Sequence, residues 1–377
     1  MSVGTRNTWI DLLRGVSIIL VLLHHFNIPY RLDDTALSQL FGWPAVHAMA
    51  RNGNYGVTMF FVISGYLITS NAQIRWGTLS NINANVFYRL RVARIMPSLL
   101  LLLAAVNILA AMGLTLFQNH PENGPPVSFW LVNFASLTFW MNILMATRVG
   151  WVNYALGILW SLSVEEVFYL SFPIACLLKR TAFLVVFWSV FIVIGPIWRV
   201  LHQDNEAQFL YSYLASFDGI AIGCCTALLA SHTTLHGRWM APAGAFVALA
   251  MAVFYLVLPI NVTNVYGVTL MALGTAFLLL LAHNRRADVP VDRTRIFAML
   301  AWFGRLSYEL YLFHLIVLGL IRSAYPVESV AGNEKLVLLV VYLSCAALLA
   351  AIVGRAYSEP LNRAIRSSLN VRRAQPA

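Results

Sequence analysis

The sequence predicts an all-α integral membrane protein, a bundle of about ten transmembrane helices, and three observations carry that prediction. Hydrophobic residues make up 60% of the 377 and charged residues only 11%, and the mean hydropathy is +0.73, values far from those of a soluble domain. Apolar runs long enough to cross a bilayer, which takes roughly 17–25 residues, recur along the whole chain. The 25 Lys and Arg residues gather in short clusters between those runs, as loops facing a cytoplasm and anionic lipid do. The net charge of +10 is therefore read as membrane topology and not as a nucleic-acid surface.

The spans fall at about 8–27, 56–72, 94–115, 153–178, 181–200, 210–230, 239–258, 262–283, 298–321 and 335–356. With the N-terminus inside, every Lys and Arg except Arg31, Arg51, Arg148, Arg199, Arg322 and Lys335 lies on the cytoplasmic side, and both termini are cytoplasmic. The segment 127–146 is also apolar enough to span. Counting it would move Lys179, Arg180 and the arginines at 285, 286, 293 and 295 outward, so it reads as an interfacial or re-entrant helix, helped by Trp130 and Trp140. Residues 1–360 form one transmembrane domain and 361–377 a basic cytoplasmic tail. No small-residue cleavage site follows Met1–Arg6, so the first apolar run is a retained helix. Cys176, Cys224, Cys225 and Cys345 lie in apolar stretches without metal-type spacing and read as small core residues.

Ionisable residues inside these runs are the candidates for chemistry. A charge in hydrocarbon costs roughly 2.5–3.5 kcal/mol even on lenient insertion scales and is retained for a reason. In the first span Arg14 and His25 stand eleven residues apart, within about 20° of each other on a helix and about 16 Å apart along it. His24 falls about 80° away from Arg14, so the two adjacent histidines are not interchangeable. Arg89, Arg91 and Arg94 crowd the start of the third span. They serve either positive-inside anchoring or, with Arg91 and Arg94 at i and i+3 on one face, a fork onto the phosphates of a nucleotide-bearing donor. Glu165 and Glu166 place two carboxyls in the fourth span, where Arg14 or His25 is the natural partner. Asp218 in the sixth span serves a structural hydrogen bond or catalysis. In the ninth, Ser307 and His314 share a face beside Tyr308 and Glu309. Gly53, Gly56, Ser64 and Gly65 in the second span permit close helix approach, and Pro360 reads as the breaker that ends the last helix.

In this order and spacing the motifs resemble the acyltransferase 3 family of integral membrane acyltransferases. The residues that carry the resemblance are Arg14 and His25 in their LRG…H context, FFVISGYLI at 60–68, RxxRIxP at Arg91–Pro97, WSLSVEEVFYL at Trp160–Leu170, SYELYLFH at Ser307–His314 and the SEP of Ser358–Pro360. Members often carry Gln after the paired Glu, where this chain has Val167. The chain ends at Ala377 without the SGNH-type esterase domain that some members append, and so resembles the stand-alone type. The resemblance implies a multi-pass protein of the bacterial cytoplasmic (inner) membrane. Its acyl donor is cytoplasmic acetyl-CoA or another short acyl-CoA, with no metal, and its acceptor is a hydroxyl of a carbohydrate or glycolipid.

Under that reading His25 is the general base, or the carrier of a covalent acyl group. Arg14 fixes the donor or pairs with Asp11 and Glu165, while Glu165 orients His25 or neutralises Arg14. Arg91, Arg94 and Arg89 hold the donor phosphates. Asp218, Ser307, Tyr308, His314 and Glu166 are secondary candidates for acceptor contact or bundle polarity. A transporter or flippase for a glycan precursor would use the same polar residues, although such proteins often show inverted repeats and none is evident here. A non-catalytic partner in polysaccharide export is a third reading.

Overall fold

A computed structural model describes residues 7–120, 125–147, 151–284 and 294–368. Arg148, the arginines at 285, 286 and 293, the start of the chain and most of the basic tail lie outside the described residues. The described residues contain helices and no strand. The longer helices are α1 (Thr8–Asn27), α2 (Asn54–Trp76), α3 (Ala84–Ala111), α4 (Leu159–Cys176), α5 (Thr181–Leu201), α6 (Tyr213–His232), α7 (Met240–Val257), α8 (Gly267–Asn284), α9 (Arg295–Arg305), α10 (Ser307–Ala324), α11 (Glu334–Ile352) and α12 (Glu359–Ser368). Local capping fixes several starts. Asn7 accepts from the Trp9 amide to open α1, Asn83 from Val86 to open α3, and Thr294 from Phe297 to open α9.

Among the described residues eight helices are long and apolar enough to cross a membrane, or nine if a broken pair is one span. Two of the ten expected spans account for the difference. The first, 153–178, becomes helical only at Leu159. The preceding Val152–Ile158 is a buried loop organised by Asn153, whose side chain accepts from the Ala155 and Leu156 amides and donates to the Phe117 carbonyl. The remaining 18 residues of α4 carry Glu165, Glu166 and three serines, which lowers their apolarity. The second, 298–321, is interrupted at Leu306, between α9 and α10. The segment 127–146 yields two helices, Phe129–Leu137 and Met141–Thr147, of 9 and 7 residues, each too short to cross a bilayer.

The chain ends differently from expectation. Pro360 does not break a helix: it lies in the first turn of α12, and helical backbone runs through it from α11. The wide turn Val353–Ser358 before it is π-helical, and Ser358 meets Ser98 of α3 at 2.7 Å, both buried. The cysteines are free thiols, with Cys176 and Cys224 buried, Cys225 half-buried and Cys345 exposed, so the last is not a core residue.

The described fold comprises two compact units. Unit 1 comprises residues 1–70, 188–203 and 216–307; unit 2 comprises 71–187, 204–215 and 308–377. Lipid tails are as apolar as leucine, so helices in a bilayer associate through close packing and buried polar contacts. Unit 1 uses both. Gly65 of α2 lies against the Ile220 carbonyl of α6, and Gly223 of α6 against the Val62 carbonyl of α2, positions where any β-carbon would collide with backbone. The glycine of the FFVISGYLI run thus has a packing role.

The polar contact is an ion pair. Arg199 Nη2 lies 2.7 Å from Asp218 Oδ2, both side chains fully buried. Arg199 also donates to Thr269 Oγ1 at 2.7 Å and to the Val265 carbonyl, and Gly219 N donates to Asp218 Oδ1. Arg199, counted on the outer side from the sequence, is therefore buried within unit 1. It ties α5 to α6 and α8 within unit 1. Removing one partner strands a buried charge, which costs about 3–5 kcal/mol, whereas replacing both with apolar groups is close to neutral. Arg199→Met and Asp218→Asn should each lower the thermal midpoint of the detergent-solubilised protein sharply. An Arg199→Met/Asp218→Leu double variant should recover most of the loss, as followed by intrinsic fluorescence.

Candidate active site

In unit 1 the site begins with the crossing of α1 and α9. A β-carbon on Gly304 would run into the Asp11 carbonyl, and one on Gly15 into the Leu300 carbonyl, so the two backbones are as close as glycine allows. This approach places Ser307, 1% exposed, against Arg14: Arg14 Nε donates to Ser307 Oγ at 3.1 Å. Two residues singled out from opposite ends of the sequence are thus brought together.

The histidines three turns further along α1 differ as their positions on the helix imply. His24 Nδ1 bonds the Ala50 carbonyl at 2.9 Å, and Gly53 of the following segment abuts its Cβ. Its ring is held against the chain that returns from α1. His25 Nδ1 instead bonds the Val21 carbonyl of its own helix, also at 2.9 Å. A carbonyl oxygen only accepts, so Nδ1 supplies the proton, and in the neutral ring Nε2 is the basic nitrogen. The two rings meet edge to face at 5.5 Å. Asp218, the other candidate in this unit, is committed to Arg199, a partner that sequence reasoning missed.

In unit 2 the paired carboxyls of α4 meet the arginine segment of α3. Arg91 Nη2 lies 2.6 Å from Glu166 Oε1 and 3.6 Å from Glu165 Oε1. The guanidinium lies over the Tyr169 ring, 3.7 Å from its centroid, and Tyr169 Oη donates to Glu165 Oε1 at 2.8 Å. Arg91 Nε is buried without a hydrogen-bond partner among the described residues. Arg91 and Glu166 line a cavity of about 130 Å³ whose other walls include Phe87, Val92, Ile95, Met96, Phe139 and Leu170. Phe139 holds a left-handed backbone, φ 61°, uncommon for a residue with a side chain, and its carbonyl accepts from Tyr213 Oη. Arg89 and Arg94 of the same segment are exposed.

The remaining candidates lie on α10. Tyr308 Oη donates to the Ile95 carbonyl of α3 at 3.3 Å. His314 is fully buried, with Nδ1 against the Leu310 and Tyr311 carbonyls. Tyr311, not singled out from the sequence, bonds Ser161 Oγ of α4 at 2.6 Å. Both tyrosines were accessible to sequence reasoning, because Tyr169 stands one helical turn after Glu165 and Tyr311 one turn after Ser307 and one before His314. Among the described residues no group of three or more His, Cys, Asp or Glu side chains is placed to hold a metal ion.

Gly304→Ala should force α9 away from α1 and break the Arg14–Ser307 bond, at about 1–3 kcal/mol for the overpacking. A lower thermal midpoint together with lost function would bear this out, and Ser307→Ala should spare most of the stability.

Comparison with known proteins places the chain in a family. Residues 7–355 match the model of the acyltransferase 3 family, described as an acyltransferase domain. A peptidoglycan O-acetyltransferase of Listeria monocytogenes is 25% identical over 338 residues, covering 82% of this chain and 49% of its own length. A putative peptidoglycan O-acetyltransferase of Bacillus subtilis is 26% identical, covering 86% and 50%. A putative O-acetyltransferase of Staphylococcus aureus is 23% identical, covering 84% and 51%. The chain thus spans about half the length of these curated relatives, and no solved structure matches it. With a family match over nearly its whole length, the chain belongs to the acyltransferase 3 family.

Proposed function

We propose that the protein is a multi-pass O-acyltransferase of a bacterial cytoplasmic membrane, moving an acetyl group from cytoplasmic acetyl-CoA to a carbohydrate or glycolipid hydroxyl. Family membership and relatives named as O-acetyltransferases support the reaction class. The observation that carries the assignment of the base is His25. Its Nδ1 is engaged by the Val21 carbonyl, which makes Nε2 the basic nitrogen of the neutral ring. The positive-inside pattern supports cytoplasmic termini.

The reaction follows from those groups. Nε2 of His25 takes the proton of the acceptor hydroxyl while the hydroxyl oxygen attacks the thioester carbonyl carbon. The C–S bond breaks, the thiolate takes up the proton from His25 and leaves as coenzyme A, and the acceptor carries the new ester. Arg14, with Nε fixed by Ser307, supplies positive charge to the donor. The arginine segment of α3 supplies charge for the donor phosphates at the cytoplasmic edge. Glu165 is the carboxylate of unit 2 proposed to take part. Asp218, locked to Arg199, and His314, fully buried, serve packing.

A general base contributes typically 10²–10⁴-fold. Membranes carrying the protein should therefore transfer label from radiolabelled acetyl-CoA to membrane carbohydrate, with His25→Ala reducing transfer at least 100-fold. His24→Gln should retain activity within about tenfold. A His25→Ala protein as active as the parent would rule out the assignment, and no acetyl-CoA-dependent label at all would rule out the function.

A further inference from the structure

The three arginines of the α3 segment do not share one environment, and the difference divides their labour. Arg94 and Arg89 are exposed. Arg91 is enclosed: its Nη2 serves both carboxylates of α4, its guanidinium face lies on the Tyr169 ring, and its side chain is 20% exposed. A phosphate approaching Arg91 Nη2 would have to displace Glu166, which is itself 8% exposed and 2.6 Å away. The hydroxyls in the cavity beside the pair are already used, Tyr88 donating to the Leu170 carbonyl and Tyr169 to Glu165, and the other walls, Phe87, Val92, Ile95, Met96, Phe139 and Leu170, carry no hydrogen-bonding side chain.

The two carboxylates are unequal as well. Glu166 takes the short contact and is sealed in. Glu165 keeps the longer contact, 3.6 Å, is 26% exposed and receives the Tyr169 hydroxyl. Two adjacent carboxylates repel, and both ionise within an apolar helix only with a cation between them. Tyr169 touches both members of that arrangement, Arg91 by its ring and Glu165 by its hydroxyl.

We propose that Arg91 and Tyr169 are positioning residues that hold Glu165 in its orientation, with Glu166 as the buried partner of Arg91, and that Arg94 with Arg89 provides the donor contact. The assignment rests on the acyl-CoA reading above for its kinetic consequences and on geometry alone for the pairing. Arg91 then acts on turnover through Glu165, whereas Arg94 acts on donor affinity.

The test compares acetyl-CoA kinetics of the full-length protein in proteoliposomes with thermal unfolding of the same preparations. Arg94→Gln should raise the donor KM at least tenfold with kcat within about threefold. Arg91→Gln should lower kcat at least tenfold with donor KM within about threefold. Tyr169→Phe, which keeps the ring and removes only the hydroxyl, should lower kcat severalfold without unfolding. The exchanged pair Arg91→Glu/Glu166→Arg should recover at least tenfold of kcat over either single variant, and recover thermal midpoint beyond the sum of the singles. A donor KM that rises equally in Arg91→Gln and Arg94→Gln, with no recovery in the exchanged pair, would overturn the proposal. If the parent protein shows no acetyl-CoA turnover, the functional reading fails. The thermal cycle then still decides the pairing: coupling between Arg91 and Glu166 upholds it and additivity overturns it.

Discussion

A charge inside an apolar helix must be matched, and this single constraint organises the polar part of the structure. Water is not there to solvate a guanidinium or a carboxylate, so each must meet an opposite charge or a hydrogen-bonding group supplied by a neighbouring helix. In unit 1 Arg199 meets Asp218, Thr269 and the Val265 carbonyl, and Arg14 meets Ser307. In unit 2 Arg91 meets Glu165 and Glu166. The glycine contacts are the complement of these pairs. Gly15 and Gly304 bring two backbones within reach so that a side-chain hydrogen bond can close, and Gly195 of α5 leaves room for the Asp218 side chain beside Arg199.

These matches fall into two kinds. Arg199 and Asp218 are wholly enclosed and satisfy each other, which suits a structural lock. Arg14 and Glu165 keep partial exposure while being held by a neighbour, which suits groups that meet a substrate in a fixed orientation. His25 belongs with the second kind. One ring nitrogen is used to fix the ring, and the other is the basic atom.

Helical spacing was the most legible part of the sequence. The angle between His24 and His25 is expressed as two different carbonyl partners, Ala50 for one and Val21 for the other. The apolar runs located most of the long helices to within a few residues. What escaped was decided by tertiary context. Arg199 was counted with the outer-side charges because hydropathy cannot tell that a charge at the end of a span turns inward to a partner 19 positions on. Residues 153–158 read as the start of a span because their apolar side chains are buried, yet Asn153 bonds them into a loop. Pro360 read as a terminator because a proline near the end of a helix and one in the first turn of the next are alike in sequence. The commitment of Arg91 to the carboxylates, too, required the packing of α3 beside α4.

The central claim is that the basic nitrogen of the proposed catalytic histidine is Nε2, because the Val21 carbonyl claims the proton on Nδ1. Nitrogen-15 NMR of histidine-labelled protein, with the His25 signals assigned by their loss in His25→Gln, reads the tautomer directly. In the neutral ring the proton is expected on Nδ1, with the shift of an unprotonated nitrogen at Nε2. A neutral ring protonated at Nε2 would contradict the claim.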